Sequence, residues 1–118
     1  MPTLSKDQGE NMGQQRGLYR VVIDLAGTLR RGTEVASCDV LDLTEKGLRF
    51  RSSLPVTINE ELQLDFNLTD GRPIHCTVQI TNIAIASVGA RIIGISPEHQ
   101  KHLSQFIEQL IAINLTGF

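Results

Sequence analysis

The 118-residue sequence has no tryptophan, one tyrosine and four phenylalanines. With so few rings, any stacking on a nucleobase falls to arginine planes or to Tyr19. The usual catalytic signatures are missing as well: no glycine-rich phosphate loop, no nucleophile elbow, no paired acids at a plausible spacing and no H-E-x-x-H. A non-enzymatic protein is expected. No apolar run approaches the ~20 residues that span a bilayer, and the N-terminus lacks the apolar centre of a secretory signal. This reads as a cytoplasmic chain without membrane insertion. There is no basic excess, since 11 Lys+Arg against 13 Asp+Glu give a formal net charge of −2, which argues against DNA or RNA as a partner. The cysteines, Cys38 and Cys76, are isolated, with no C-x-x-C, and each falls inside an alternating apolar pattern. They fit small core residues in a reducing compartment. Among the three histidines, His99 and His102 stand at i and i+3, but spacing supplies no third metal ligand. All three fit exposed polar positions, His75 on the solvent parity of a strand, and no metal or cofactor is expected.

What remains is ordinary for one globular domain: 41% apolar and 20% charged residues, on a chain long enough for a single core. Residues 1–15 are polar and read as a flexible N-terminal tail. From Tyr19 the pattern is of β type. Tyr19, Val21, Ile23 and Leu25 alternate, and Gly27 and Gly32 punctuate the next stretch of chain. Between Val35 and Leu43 apolar residues fall on both parities, which suggests a central or bulged strand. Leu48 and Phe50 alternate with Arg49 and Arg51 until Pro55. Leu62, Leu64, Phe66 and Leu68 alternate with polar residues before Asp70-Gly71, a two-residue hairpin signal. The return strand carries Ile74, Cys76, Val78 and Ile80, and a last strand runs from Val88 to Ile95. Ser96-Pro97-Glu98 then starts a helix over about 97–115, with Leu103, Phe106, Ile107, Leu110 and Ile111 on one face. The fold expected is mainly β: six or so antiparallel strands in a Greek-key or meander barrel, with a C-terminal amphipathic helix.

The charge is unevenly placed. Arg16, Arg20, Arg30, Arg31, Lys46, Arg49 and Arg51 all lie in the first half, so a local positive patch can attract a small dianion on an acidic protein. Arg30 and Arg31 read more simply as a solvated hairpin loop. In Arg16-Gly-Leu-Tyr-Arg20 two guanidiniums stand four residues apart at the mouth of a strand. Each presents a rigid fork that matches the O6/N7 edge of guanine or two phosphate oxygens. In Asp42-Leu-Thr-Glu-Lys-Gly47 the carboxylate of Asp42 can accept from guanine N1 and N2, and the Thr44 hydroxyl can donate or accept. Gly47 lacks the Cβ that would hold a ligand off the backbone or forbid positive φ. Arg91, on the polar parity of the last strand, suits either a phosphate or a cross-strand ion pair. Taken singly, the arginines also fit surface ion pairs, and Asp42 to Gly47 also fits an Asx-type turn.

The two motifs together, in this order and at this separation in a β-rich chain, resemble the PilZ domain family of bacterial cyclic di-GMP receptors. The resemblance covers most of the chain, from Arg16 to the final helix. It implies a six-stranded antiparallel barrel over 16–118 and cyclic di-GMP as ligand, held by Arg16, Arg20, Asp42, Thr44 and Gly47. Thr44 stands where the family usually has serine; it keeps the hydroxyl and adds a methyl. The resemblance further implies that Gln15 influences how many ligands are held and that Arg91 lies near the same surface. A receptor of this kind changes the conformation of its N-terminal arginine segment on binding. It regulates an effector protein in motility, biofilm or exopolysaccharide pathways. The other role in such a family is a protein-protein interaction adaptor that binds no nucleotide. Monomer and dimer are both open.

Overall fold

The computed structural model describes residues 20–116, with side chains as far as 112. Six antiparallel strands, β1 (Val21–Arg31), β2 (Glu34–Leu43), β3 (Gly47–Arg51), β4 (Glu61–Asn67), β5 (Pro73–Ile83) and β6 (Val88–Ile95), precede one helix, α1 (Pro97–Thr116). They close into a barrel in the order β1-β2-β3-β6-β5-β4, with β4 bonded back to β1. A three-strand meander whose fourth strand returns beside the first is a Greek key, so of the two expected topologies the chain adopts that one.

Alternation decides the interior. Leu48 and Phe50 of β3, Leu62, Leu64 and Phe66 of β4, and Ile74, Cys76, Val78 and Ile80 of β5 are buried, while Arg49 and Arg51 point outward. The mixed parity of β2 is a bulge, as its pattern suggested: against β3 the extra residue is Leu41, between Val40 and Asp42, while against β1 the extra residue lies on β1, between Val22 and Leu25. Cys38 and Val40 are buried before the shift and Leu43 after it, which leaves Asp42 opposite outward-facing Arg49. A break in periodicity therefore places the acidic residue of the second motif.

Three local expectations are corrected. Gly27 does not end β1, which runs on to Arg31, because Gly27 faces Phe66 of β4 and a Cβ there would stand 2.9 Å from the Asp65 carbonyl. Glycine permits the close approach that seals the barrel. Arg30 and Arg31 consequently lie in strand, not in the hairpin loop, where Arg30 pairs with Asp65 and Arg31 with Glu34 and Glu60. Asp70-Gly71 is not a two-residue turn either. β4 and β5 pair from Asn67 and Pro73 onward, and the Leu68 N–H bonds the Arg72 carbonyl at 2.9 Å, so the connection spans 68–72. Gly71, with φ 90°, supplies its left-handed residue.

α1 starts as its sequence suggests. The His99 N–H donates to the Ser96 hydroxyl at 3.2 Å, and Pro97 needs no partner at the first turn. Leu103, Phe106 and Ile107 are buried in the common core, where the helix meets β5 and β1. Burying each such side chain is worth about 1.5–3 kcal/mol, enough to hold the helix on the barrel. Among the described residues no helix is long and apolar enough to cross a membrane.

Candidate functional site

Four neighbouring strands bring the candidate residues together. Exposed Arg20 immediately precedes β1, whose Val21 and Val22 pair with Leu43 and Asp42, so Arg20 enters the barrel where Thr44 leaves it. Gly47 opens β3 opposite Arg91 of β6. Arg20, Asp42, Thr44, Gly47 and Arg91 thus share one stretch of barrel wall. Gln15, Arg16, Tyr19 and the tail expected over 1–15 lie outside the described residues.

Thr44 builds the turn. Its hydroxyl accepts from the N–H groups of Lys46 (3.1 Å) and Gly47 (2.9 Å) and donates to the Gly47 carbonyl at 3.1 Å. The Thr44 N–H bonds that same carbonyl at 2.8 Å. One donor and two acceptor sites are all a hydroxyl has, so in this state none is left for a ligand. The added methyl does not disturb this bonding.

The sequence offered close approach of a ligand or positive φ as reasons for glycine at 47. Among the described residues positive φ occurs at Gly32, Gly71 and Asn59, not at Gly47. The structure supplies a further reason, strand packing, since a Cβ on Gly47 would stand 2.7 Å from the Ala90 carbonyl oxygen. The neighbour is β6 backbone, which cannot swing aside.

Asp42 is nearly closed to solvent, its side chain 3% exposed, and its Oδ2 accepts from Arg49 Nε at 2.7 Å. Arg49 makes this contact at one point only, while its Nη1 reaches the Ser87 hydroxyl of the β5–β6 turn at 3.3 Å. Sequence reasoning placed Arg49 in the positive patch but did not attach it to Asp42. Hairpin arithmetic held the signal: a turn over 44–47 pairs Leu43 with Leu48 and therefore Asp42 with Arg49.

Arg91 is exposed and donates to the Gln79 side chain across β5 and β6. Among the described residues no carboxylate pairs with it, so the ion-pair alternative gives way to a neutral partner. Beside it a cleft of about 500 Å³ is lined by Glu45, Lys46, Arg91, Ile92, Gly94 and Gln100. The cleft ties the turn to the helix: the Ser104 hydroxyl donates to Glu45 Oε1 at 3.2 Å, and Gln100 donates to Ser104 at 3.0 Å. An anion placed here meets Lys46 and Arg91 at short range, with exposed Arg20 on the same wall.

A second, larger concavity of about 650 Å³ lies over β1, β4 and β5, lined among others by Gly27, Thr28, Arg30, Asp65, Asn67 and His75. Its charges are already matched. Asp65 bonds Arg30 Nε at 2.8 Å and the His75 ring; burial opposes its ionisation, but these bonds outweigh burial and hold the carboxyl below its usual range. His75 is exposed, as its strand parity suggested, whereas His99 and His102 are half-buried and depart from the expected exposed face. His75 is bound to Asp65, the His75 N–H donates to His99 Nδ1 at 3.0 Å, and the half-buried His99 and His102 rings stack with centroids 5.8 Å apart. Among the described residues no group of His, Cys, Asp or Glu is placed to hold a metal. Cys38 and Cys76 are free and buried in the core; burial, aided by Asp39 and Asp65 respectively, pushes their thiols up to about 11 and about 12.

A closed six-stranded barrel with an acid, a hydroxyl-built turn and arginines on one wall defines a small binding domain, with recognition groups in place of a reactive centre. A family model described as PilZ domain matches residues 14–109, and the chain belongs to that family. PilZ domains are non-catalytic receptors for cyclic di-GMP. Among solved structures the chain is similar to the inhibitor of motility MotI/DgrA of Bacillus subtilis, with a TM-score of 0.72 and 15% identity. That match covers 79% of this chain and 49% of the other, so this chain spans about half of that protein's length. It is also similar to the PilZ domain of CeSA from a cellulose-synthesizing bacterium, with a TM-score of 0.61, 11% identity, and coverage of 79% and 98%. No curated protein matches the chain.

Proposed function

We propose that this protein is a cytoplasmic receptor for cyclic di-GMP that acts by binding and by reshaping its N-terminal arginine segment. The observation that carries this reading is the convergence of Arg20, the Asp42 to Gly47 turn and Arg91 on adjacent strands. Arg16 and Arg20 hold guanine edges and phosphates, Asp42 accepts from guanine N1 and N2, and Arg91 adds a cation for phosphate. Thr44 and Gly47 serve by shaping the turn: Thr44 caps it and Gly47 lets it lie against β6. Gln15 lies beside Arg16 in sequence, where it bears on how many nucleotides are held. Each good two-point contact to guanine is worth about 1–3 kcal/mol of discrimination. A few of them, less the cost of ordering the arginine segment, leave micromolar affinity, about −8 kcal/mol. The output is an effector protein in a motility, biofilm or exopolysaccharide pathway, in keeping with a structural relative that is itself an inhibitor of motility.

The second reading is an interaction adaptor on the same barrel that binds no nucleotide. It draws on the closed state of Asp42, whose carboxylate is held by Arg49 and hardly touches solvent. Calorimetric titration with cyclic di-GMP separates the two. The receptor reading expects micromolar binding by the wild type, weakened about tenfold or more in Arg20→Ala, as loss of one such contact implies. No heat with the wild type overturns it in favour of the adaptor, and equal binding by both proteins overturns the site by removing Arg20 from it.

A further inference from the structure

We propose that Arg49 is a positioning residue that aims the Asp42 carboxylate and so sets selectivity for guanine over bases without its exocyclic amine. The inference rests on the receptor reading above. A carboxylate on a bulged strand can rotate about its side-chain bonds, and a base edge that needs two parallel bonds binds well only to one orientation of it. Here one oxygen is fixed. Arg49 stands directly across from Asp42 in register, and its Nε meets Oδ2 at 2.7 Å. The contact uses one donor at one oxygen, and a carboxylate offers about four acceptor positions, so acceptor sites remain for N1–H and N2–H of a purine, which reach them only as the ligand opens a side chain that is 3% exposed in this state.

Arg49 is itself held. Its Nη1 reaches the Ser87 hydroxyl at 3.3 Å, which fixes the far side of the guanidinium while Nε alone meets Asp42. The strand behind it is also open: Gly89 of β6 lies opposite Arg49 and has no side chain to compete for that space. Asp42, Arg49 and Ser87 form a relay from the motif turn to the β5–β6 turn. Its chemical effect is on the geometry of acceptance, so it separates guanine, which donates from N1 and N2, from hypoxanthine, which donates from N1 alone. A phosphate contact by Arg49 would instead favour both ligands equally.

The test compares cyclic di-GMP with cyclic di-inosine monophosphate on the wild type, Arg49→Met, Arg49→Gln and Ser87→Ala, with thermal unfolding to confirm that each variant is folded. The wild type is expected to prefer the guanine ligand by about tenfold or more. Arg49→Met removes the donor and is expected to lower that ratio about fivefold, weakening the guanine ligand and leaving the inosine ligand nearly unchanged. Arg49→Gln keeps a neutral donor and restores most of the ratio; Ser87→Ala, far from the carboxylate, lowers it about twofold. A ratio unchanged in folded Arg49→Met, or equal losses for both ligands, overturns the assignment. Where Arg49→Met does not fold, Ser87→Ala decides by the same criterion. A wild type that binds neither ligand refutes the receptor reading itself, which is a different result.

Discussion

At the scale of single residues, the second motif works by building its own turn before it meets any ligand. The Thr44 hydroxyl satisfies two backbone donors and one acceptor between Thr44 and Gly47. Thr44→Val keeps the shape and removes the hydroxyl, which leaves those N–H groups to find water. It is expected to cost about 1–3 kcal/mol, whereas Thr44→Ser stays within about 0.5 kcal/mol of the wild type, both read from urea denaturation midpoints. Equal stability of all three proteins contradicts the capping role. The identities of Asp42, Thr44 and Gly47 were legible in the sequence, but their tasks were only partly so. Arg49 was missed for a physical reason: strand parity assigned it to solvent, and parity says nothing about which neighbour an outward side chain meets. That depends on the length of the 44–47 turn, which sets Asp42 opposite Arg49.

At the scale of elements, cross-strand charge pairs fasten what alternation alone leaves loose. Arg31 ties the end of β1 to Glu34 of β2 and to Glu60 ahead of β4, and Arg30 and His75 join β1 and β5 through Asp65 of β4. Glu60, bonded first by Arg31 and then by the Thr57 N–H, is held below its ordinary value. So is Asp65, and so is Asp70 beside Arg72. A carboxyl that ionises more readily folded than unfolded adds stability above its unfolded value, near pH 4, and loses it as pH falls through the folded value. The buried thiols act in the opposite direction. Their folded values, about 11 and about 12, mean that stability declines as pH climbs past the unfolded thiol value near 8.5. The urea midpoint is therefore expected to be level from about pH 5 to 8, to fall below about pH 4 and to fall again above about pH 9. A midpoint still level at pH 3 contradicts the acid arm. The strands themselves were legible wherever one face is apolar. The continuation of β1 through Gly27 was not, because glycine marks a turn and a close strand contact with the same letter. The length of the 68–72 loop was hidden too, since Asp70-Gly71 supplies a left-handed residue to a two-residue hairpin and to a longer loop alike.

At the scale of the whole molecule, Greek-key closure turns scattered positions into one wall. β1, β2 and β3 are consecutive and β6 comes only after β4 and β5, yet together they bring Arg20, Asp42, Gly47 and Arg91 side by side. The family resemblance already grouped these residues around one ligand, and the strand register shows how the chain brings them together. The larger concavity over β1, β4 and β5 serves as a built-in control, because its Arg30 is already paired with Asp65, which also bonds the His75 ring. The helix, joined to the motif turn through Glu45 and Ser104, gives the wall a direct link to an element outside the barrel. The most direct measurement is a nitrogen-15 NMR titration of the protein with cyclic di-GMP. The account predicts saturable shifts centred on Arg20, residues 42–47, Arg49 and Arg91, with little change at Arg30, Asp65 and His75. No saturable shifts, or shifts centred on the Arg30, Asp65 and His75 face, would contradict it.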